Sequence, residues 1–189
     1  MPRTAQMIMI IGANGTGKTS ALKRILETSG QRALVITPDY AEWNDKDEYG
    51  NEKYPLNELN TRDDYVFEGI QRHVFGPKTL QAIKAFKKGI IVFDDCRVYL
   101  SDKTDESIHQ LMIRRRQREV DFIAVAHSFT EMPRRFYPFT SDLFLFQTKD
   151  SIDMRKGVAL KVDKLKKLQS YVNNKARTNK HFYIHVKFE

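Results

Sequence analysis

Eight consecutive residues, Gly12-Ala13-Asn14-Gly15-Thr16-Gly17-Lys18-Thr19, match the pattern G-x-x-x-x-G-K-[ST] at every fixed position. Glycines there allow backbone angles that turn successive N–H groups inward, making a nest for phosphate oxygens. A helix opening near Lys18 would add the positive end of its dipole. Lys18 is placed to reach the β- and γ-phosphates of ATP and the Thr19 hydroxyl to ligate Mg²⁺, so Gly12 to Ser20 becomes the candidate binding segment. A second pair of reactive residues, Asp94-Asp95, follows the apolar run Ile90-Ile91-Val92-Phe93. Phosphoryl transfer needs a carboxylate near the metal and a group that orients the attacking water. Asp94 suits the first task, directly or through water, and Asp95 the second. The competing assignment has either acid capping the segment that follows. Cys96 beside them reads as small buried filler rather than a nucleophile.

These residues need a strand before the loop and a helix after it, and the pattern supplies both. Met7 to Ile11 is a short, continuous apolar run, as a fully buried strand requires. From Lys18, Ala21, Leu22, Ile25 and Leu26 fall on one helical face, and Gly30 provides a stop. Ala33 to Thr37 and Ile90 to Phe93 are further buried strands, with Phe122 to Ala126 and Leu143 to Phe146 as two more. Helices are expected over Thr79 to Lys88, ending at Gly89, over Asp105 to Glu119, and over Val162 to Lys175. Phe182 to Phe188 alternates like an edge strand. Residues 39–64 read as a long polar and aromatic excursion with weak local structure, its role left open, contact with a neighbouring subunit being one option. Strands alternating with helices argue for a single α/β domain with a mainly parallel sheet and helices on both faces. Its core is expected over about 6–148, with a basic helix and strand over 149–189.

The 189 residues carry a net charge of +8, unevenly placed. Residues 1–100 hold 14 Lys and Arg against 13 Asp and Glu, whereas residues 101–189 hold 18 against 11. Such asymmetry marks either a nucleic-acid face or a solvated basic surface. No apolar stretch approaches a membrane span, no secretory leader is visible, and one cysteine cannot form an internal disulfide. A soluble intracellular protein is the expectation.

With the loop and the acidic pair placed, the segment Arg114-Arg115-Arg116-Gln117-Arg118-Glu119-Val120-Asp121-Phe122-Ile123-Ala124-Val125-Ala126-His127-Ser128 narrows the choice. Over roughly residues 6–148 the chain resembles the FtsK–HerA superfamily of P-loop ATPases: DNA pumps, viral genome-packaging ATPases and, more remotely, Zot-like phage assembly proteins. In that family a basic helix leads into a strand ending in a polar sensor, then a loop like Met132-Pro133-Arg134-Arg135 and a further strand like Asp142 to Phe146. The resemblance implies a RecA-like sheet, the sensor role for His127 where Gln is usual, and a ring, a pentamer or hexamer. In such a ring Arg116 of one subunit would complete the next subunit's site, with Arg115, Arg134 and Arg135 as rivals. Asp95 departs from the usual Glu, and its shorter side chain would slow hydrolysis.

The resemblance implies an ATPase that moves double-stranded DNA into a viral capsid, in the host cytoplasm or at the virion vertex with capsid or portal-vertex proteins. Basic residues beyond the fifth expected strand, Lys149, Arg155, Lys156, Lys161 and Lys164, are candidates for DNA phosphate contacts. Two alternatives remain: a small P-loop kinase of a nucleoside or small molecule, and a nucleotide-dependent assembly factor that hydrolyses little.

Overall fold

A computed structural model describes residues 5–59, 67–100, 106–155, 157 and 161–188. Seven strands form one sheet: β1 (Met7–Ile11), β2 (Ala33–Thr37), β3 (Ile70–Val74), β4 (Gly89–Phe93), β5 (Val120–Ala126), β6 (Asp142–Leu145) and β7 (Ile184–Lys187). Their order is β3-β2-β4-β5-β1-β6-β7, parallel throughout except where β7 runs against β6. Among the described residues, four α-helices accompany them: α1 (Lys18–Ser29), α2 (Thr79–Ala82), α3 (Glu106–Arg118) and α4 (Val162–Lys175).

Alternate strand residues point to opposite faces of the sheet, and each face has its own core. Ile8, Ile10, Val35, Val92, Ile123 and Val125 pack with Leu22 and Leu26 of α1. Met9, Ile11, Ile91, Phe93, Phe122 and Leu143 pack with Leu111 and Met112 of α3 and Leu165 and Val172 of α4. Burial on both faces explains why β1, β2, β4 and β5 read as unbroken apolar runs.

The predicted elements recur with three differences. Residues 79–88 hold one short turn of α-helix and a 3-10 turn at Ile83–Ala85, not a helix reaching Lys88. Gly89 is no helix stop but the first residue of β4, pressed so closely that a Cβ there would lie 2.7 Å from the Arg32 carbonyl oxygen. The pattern assigns no strand to Ile70–Val74, whose central Gln-Arg-His carries no apolar signal, yet β3 closes the sheet edge beside β2.

The stretch 39–59 is more ordered than its composition implies, and it packs on its own chain. Trp43 and Tyr54 are buried in the α1-side core, their rings edge to face at 5.0 Å. Leu56 bridges Arg72 of β3, with Asn57 N–H donating to the Arg72 carbonyl at 2.7 Å and Arg72 N–H to that of Pro55 at 3.0 Å. The segment thus covers an otherwise unpaired sheet edge. The remainder of the excursion, 60–64, lies outside the described residues.

Candidate functional site

Parallel pairing decides which residues meet. Ile11 lies opposite Ala126, and Phe93 opposite Ala124, so β1, β4 and β5 end at one edge of the sheet. Gly12, Asp94 and His127 follow those ends directly, the usual place for ligands in open parallel sheets. Asp94 and His127 line a cavity of about 690 Å³ with Asn14, Gly15, Lys18, Thr19, Asp95 and His181.

The loop between β1 and α1 is shaped by close approach. A Cβ on Gly12 would lie 2.4 Å from Phe146 Cβ, so only glycine fits there. Gly15 and Gly17 take positive φ angles of 70° and 94°, conformations that a side chain would strain. The Thr16 hydroxyl donates to the Ala13 carbonyl at 2.8 Å and ties the loop on itself.

Lys18 is buried, and its ammonium donates to the Ala13 carbonyl at 3.0 Å and to His127 Nδ1 at 3.1 Å. An ammonium only donates, so Nδ1 must accept and the ring proton sits on Nε2. Nε2 lies 3.3 Å from Asp95 Oδ1, an atom buried from solvent that, among the described residues, makes no hydrogen bond of good geometry. Burial lowers the Lys18 pKa, while Asp94, Asp95 and Glu131 oppose that shift. Glu131 accepts the His127 backbone N–H at 3.2 Å and pairs with Arg97, fixing where the histidine leaves β5.

Asp94 is 6% exposed, and burial pushes its carboxyl above the usual range. The indole N–H of Trp43 donates to its Oδ2 at 2.6 Å and the Asp95 N–H to its Oδ1 at 3.1 Å. Tyr99 hydroxyl bonds the Asp94 carbonyl at 2.6 Å. Asp95 adopts φ 45° and ψ 52°, a left-handed conformation uncommon for a residue with a side chain. It stands at the cap position of the 3-10 turn Cys96–Val98 but makes no side-chain capping bond, which counts against the structural assignment. Cys96 is buried among the strands, its thiol pKa raised by burial, as a filler would be.

The sequence candidates divide cleanly. Gly12 to Ser20, Asp94, Asp95 and His127 come together. Arg116 does not: it is exposed at the end of α3 and lines a separate cavity of about 500 Å³ with Lys88, Gly89 and Glu119, where β4 and β5 begin. Arg115 belongs to its own chain's packing, its guanidinium 5.3 Å from the Phe139 ring and donating to the Met112 carbonyl at 2.7 Å. Arg134 and Arg135 are exposed.

One basic candidate is corrected outright. Arg155 is 8% exposed and donates to the carbonyls of Phe129 at 2.9 Å and Met132 at 3.1 Å, and to that of Thr130, so it braces the loop after β5 rather than facing solvent. Lys149, Lys161 and Lys164 are exposed, and Lys156 lies outside the described residues. Glu42, Trp43, Glu131 and His181 were not singled out from sequence. Nothing in a polar loop or an end-strand turn advertises them, because tertiary pairing brings Glu42, Trp43 and His181 to the cavity and Glu131 to the His127 backbone.

No protein-family model and no curated protein sequence matches the chain. Solved structures do. The genome packaging NTPase B204 from Sulfolobus turreted icosahedral virus 2, in complex with AMPPCP, superposes with a TM-score of 0.62 and 12% identity over 97% of this chain and 92% of that one. B204 described as the DNA-packaging ATPase from Sulfolobus turreted icosahedral virus gives 0.59 and 13% over 96% and 92%. The N-terminal domain of zonular occludens toxin from Neisseria meningitidis gives 0.51 and 11% over 99% and 96%. The chain therefore has the P-loop NTPase fold of a viral packaging enzyme and a Zot domain, the two kinds of protein that its motifs resemble.

Proposed function

We propose that this chain is an ATP-hydrolysing DNA translocase of the viral genome-packaging kind, acting as a homo-oligomeric ring of five or six subunits. The observation that carries this reading is the convergence of Asn14, Gly15, Gly17, Lys18 and Thr19 of the loop with Asp94, Asp95 and His127 on one cavity. The fold is shared with a DNA-packaging ATPase.

In this reading the loop's backbone N–H groups and Lys18 hold the triphosphate, Asp95 polarises the attacking water, and His127 senses the γ-phosphate. Lys18 already touches His127, so drawing its ammonium onto phosphate would free Nδ1. Thr19 and Asp94 would hold Mg²⁺. Both present hard oxygen donors of the kind this ion takes, and each Asp94 oxygen accepts only one of the two hydrogen bonds it can. When bound, the ion would neutralise charge on the phosphate oxygens.

Arg116 stands at the opposite edge of the sheet from its own phosphate cavity, and in this reading it would act on a neighbouring copy's site. Exposed Lys149, Lys161 and Lys164, with Lys166, Lys167 and Lys175 on α4, offer a basic surface for duplex phosphates. Capsid or portal-vertex proteins would be the further partners, and the host cytoplasm and virion vertex the places of action. Among the described residues, no helix is long and apolar enough to cross a membrane.

Triplex displacement tests the motor directly. A translocating ring strips a third strand from duplex DNA only with ATP and Mg²⁺, and Lys18→Ala abolishes it; failure to displace would contradict translocation. A second reading, a nucleotide-gated assembly factor, is favoured by the likeness to the zonular occludens toxin domain. It predicts ATP binding without turnover in the presence of DNA.

A further inference from the structure

The segment leaving β2 brings a third carboxylate to the phosphate cavity. β2 pairs with β4 in parallel, Ile36 opposite Phe93, so the chain emerging after Thr37 arrives beside Asp94. Trp43 is 3% exposed and anchors there through its indole bond to Asp94. Arg72, 5% exposed on β3, reaches under the segment. It donates to the carbonyls of Tyr40 at 2.8 Å, Glu42 at 3.5 Å and Tyr54 at 3.1 Å, and to the Glu52 carboxylate at 3.2 Å. Held between a buried tryptophan and a buried arginine, Glu42 lines the same cavity as Lys18, Asp94, Asp95 and His127. Glu42 itself is solvent-exposed at the mouth of that cavity; partial burial of its carboxyl, followed by the charges of Asp94, Asp95 and Asp39, raises its pKa.

A water attacking the γ-phosphorus must turn a lone pair toward it, which requires acceptors for both of its O–H bonds. Asp95, which lines the cavity, can offer one through its carboxylate, whose Oδ1 faces His127 Nε2 at 3.3 Å. Its short side chain and left-handed backbone leave the second O–H to another group. Resting on the ATPase reading above, we propose that Glu42 is the second carboxylate on the attacking water, with Trp43 and Arg72 as its positioning residues. The water oxygen bonds to the γ-phosphorus as the bond from that phosphorus to the β–γ bridging oxygen breaks, its electron pair leaving on ADP. One water proton passes to the Glu42 carboxylate and is returned to the released phosphate; the other stays on the phosphate.

The test uses the full chain with Mg²⁺, ATP and double-stranded DNA, following phosphate release and the fluorescence of Trp43, the single tryptophan. Glu42→Gln is expected to lower kcat on the order of 100-fold, with ATP binding and KM within about twofold of wild type. Glu42→Asp recovers part of the rate, and unchanged Trp43 emission reports that the segment is still seated. Trp43→Phe, followed by phosphate release, lowers kcat through misplacement and less than Glu42→Gln does. Turnover of Glu42→Gln at the wild-type rate overturns the assignment, as does loss of ATP binding together with turnover, which would mark a structural role. A wild-type chain that binds ATP and releases no phosphate overturns the ATPase reading and this assignment with it.

Discussion

The phosphate loop and the segment 39–59 meet at the same two carboxylates but are built in opposite ways. The loop is mostly local: its glycine conformations, the Thr16 turn and the start of α1 lie within one short run, and only its first residues are tied to distant strands, Gly12 N–H to the Ala126 carbonyl and Ala13 N–H to that of Gln147. The segment has no such logic of its own. Its position comes from Arg72 on a distant strand, from Trp43 sunk into the α1-side core, and from pairing along β3. One half of the site thus depends on backbone shape and the other on tertiary clamps, and they should fail differently.

The largest effect is expected in the local half. Lys18→Ala removes the cation that meets the phosphates, and turnover should fall at least about 100-fold in a phosphate-release assay, with the melting temperature little changed. A large drop in stability instead would mean that the loop also relies on long-range support.

Trp43→Ala probes the clamped half and should behave in reverse. It leaves a cavity and strips a bond from a buried carboxylate, so a loss of about 3–5 kcal/mol is expected in denaturant unfolding. Arg72→Met should cost about 2 kcal/mol and lower kcat more than ATP affinity, because it loosens Glu42 without touching the loop. Equal effects of Lys18→Ala and Arg72→Met on ATP affinity would erase the distinction between the halves.

A smaller effect concerns Tyr54, the second aromatic anchor of the segment. Burial and the Glu27 carboxylate raise its phenol pKa from 10.0 to about 12. Because the folded value exceeds the unfolded one, the stabilisation is fully present below pH 10 and fades as pH rises through about 12. Melting temperatures of wild type and Tyr54→Phe should therefore converge between those values.

The same contrast explains what was legible in the sequence. Fully buried parallel strands announce themselves as apolar runs, and the loop and the Asp94-Asp95 strand end carry fixed spacing, so the sheet and half of the site could be read. β3 could not, because an edge strand whose middle is Gln71-Arg72-His73 has neither alternation nor an apolar run. Arg155 misled because a guanidinium satisfied by carbonyls looks in sequence like any surface cation. Glu42 was hidden among other acids in residues 39–52, and only the β2–β4 pairing distinguishes it.

The central claim is ATP hydrolysis coupled to duplex DNA, and its most direct measurement is phosphate release with and without double-stranded DNA, in wild type, Lys18→Ala and Asp95→Asn. The account predicts that DNA raises wild-type turnover and that both substitutions abolish it. Turnover indifferent to DNA, or ATP bound and left intact with DNA present, would contradict it.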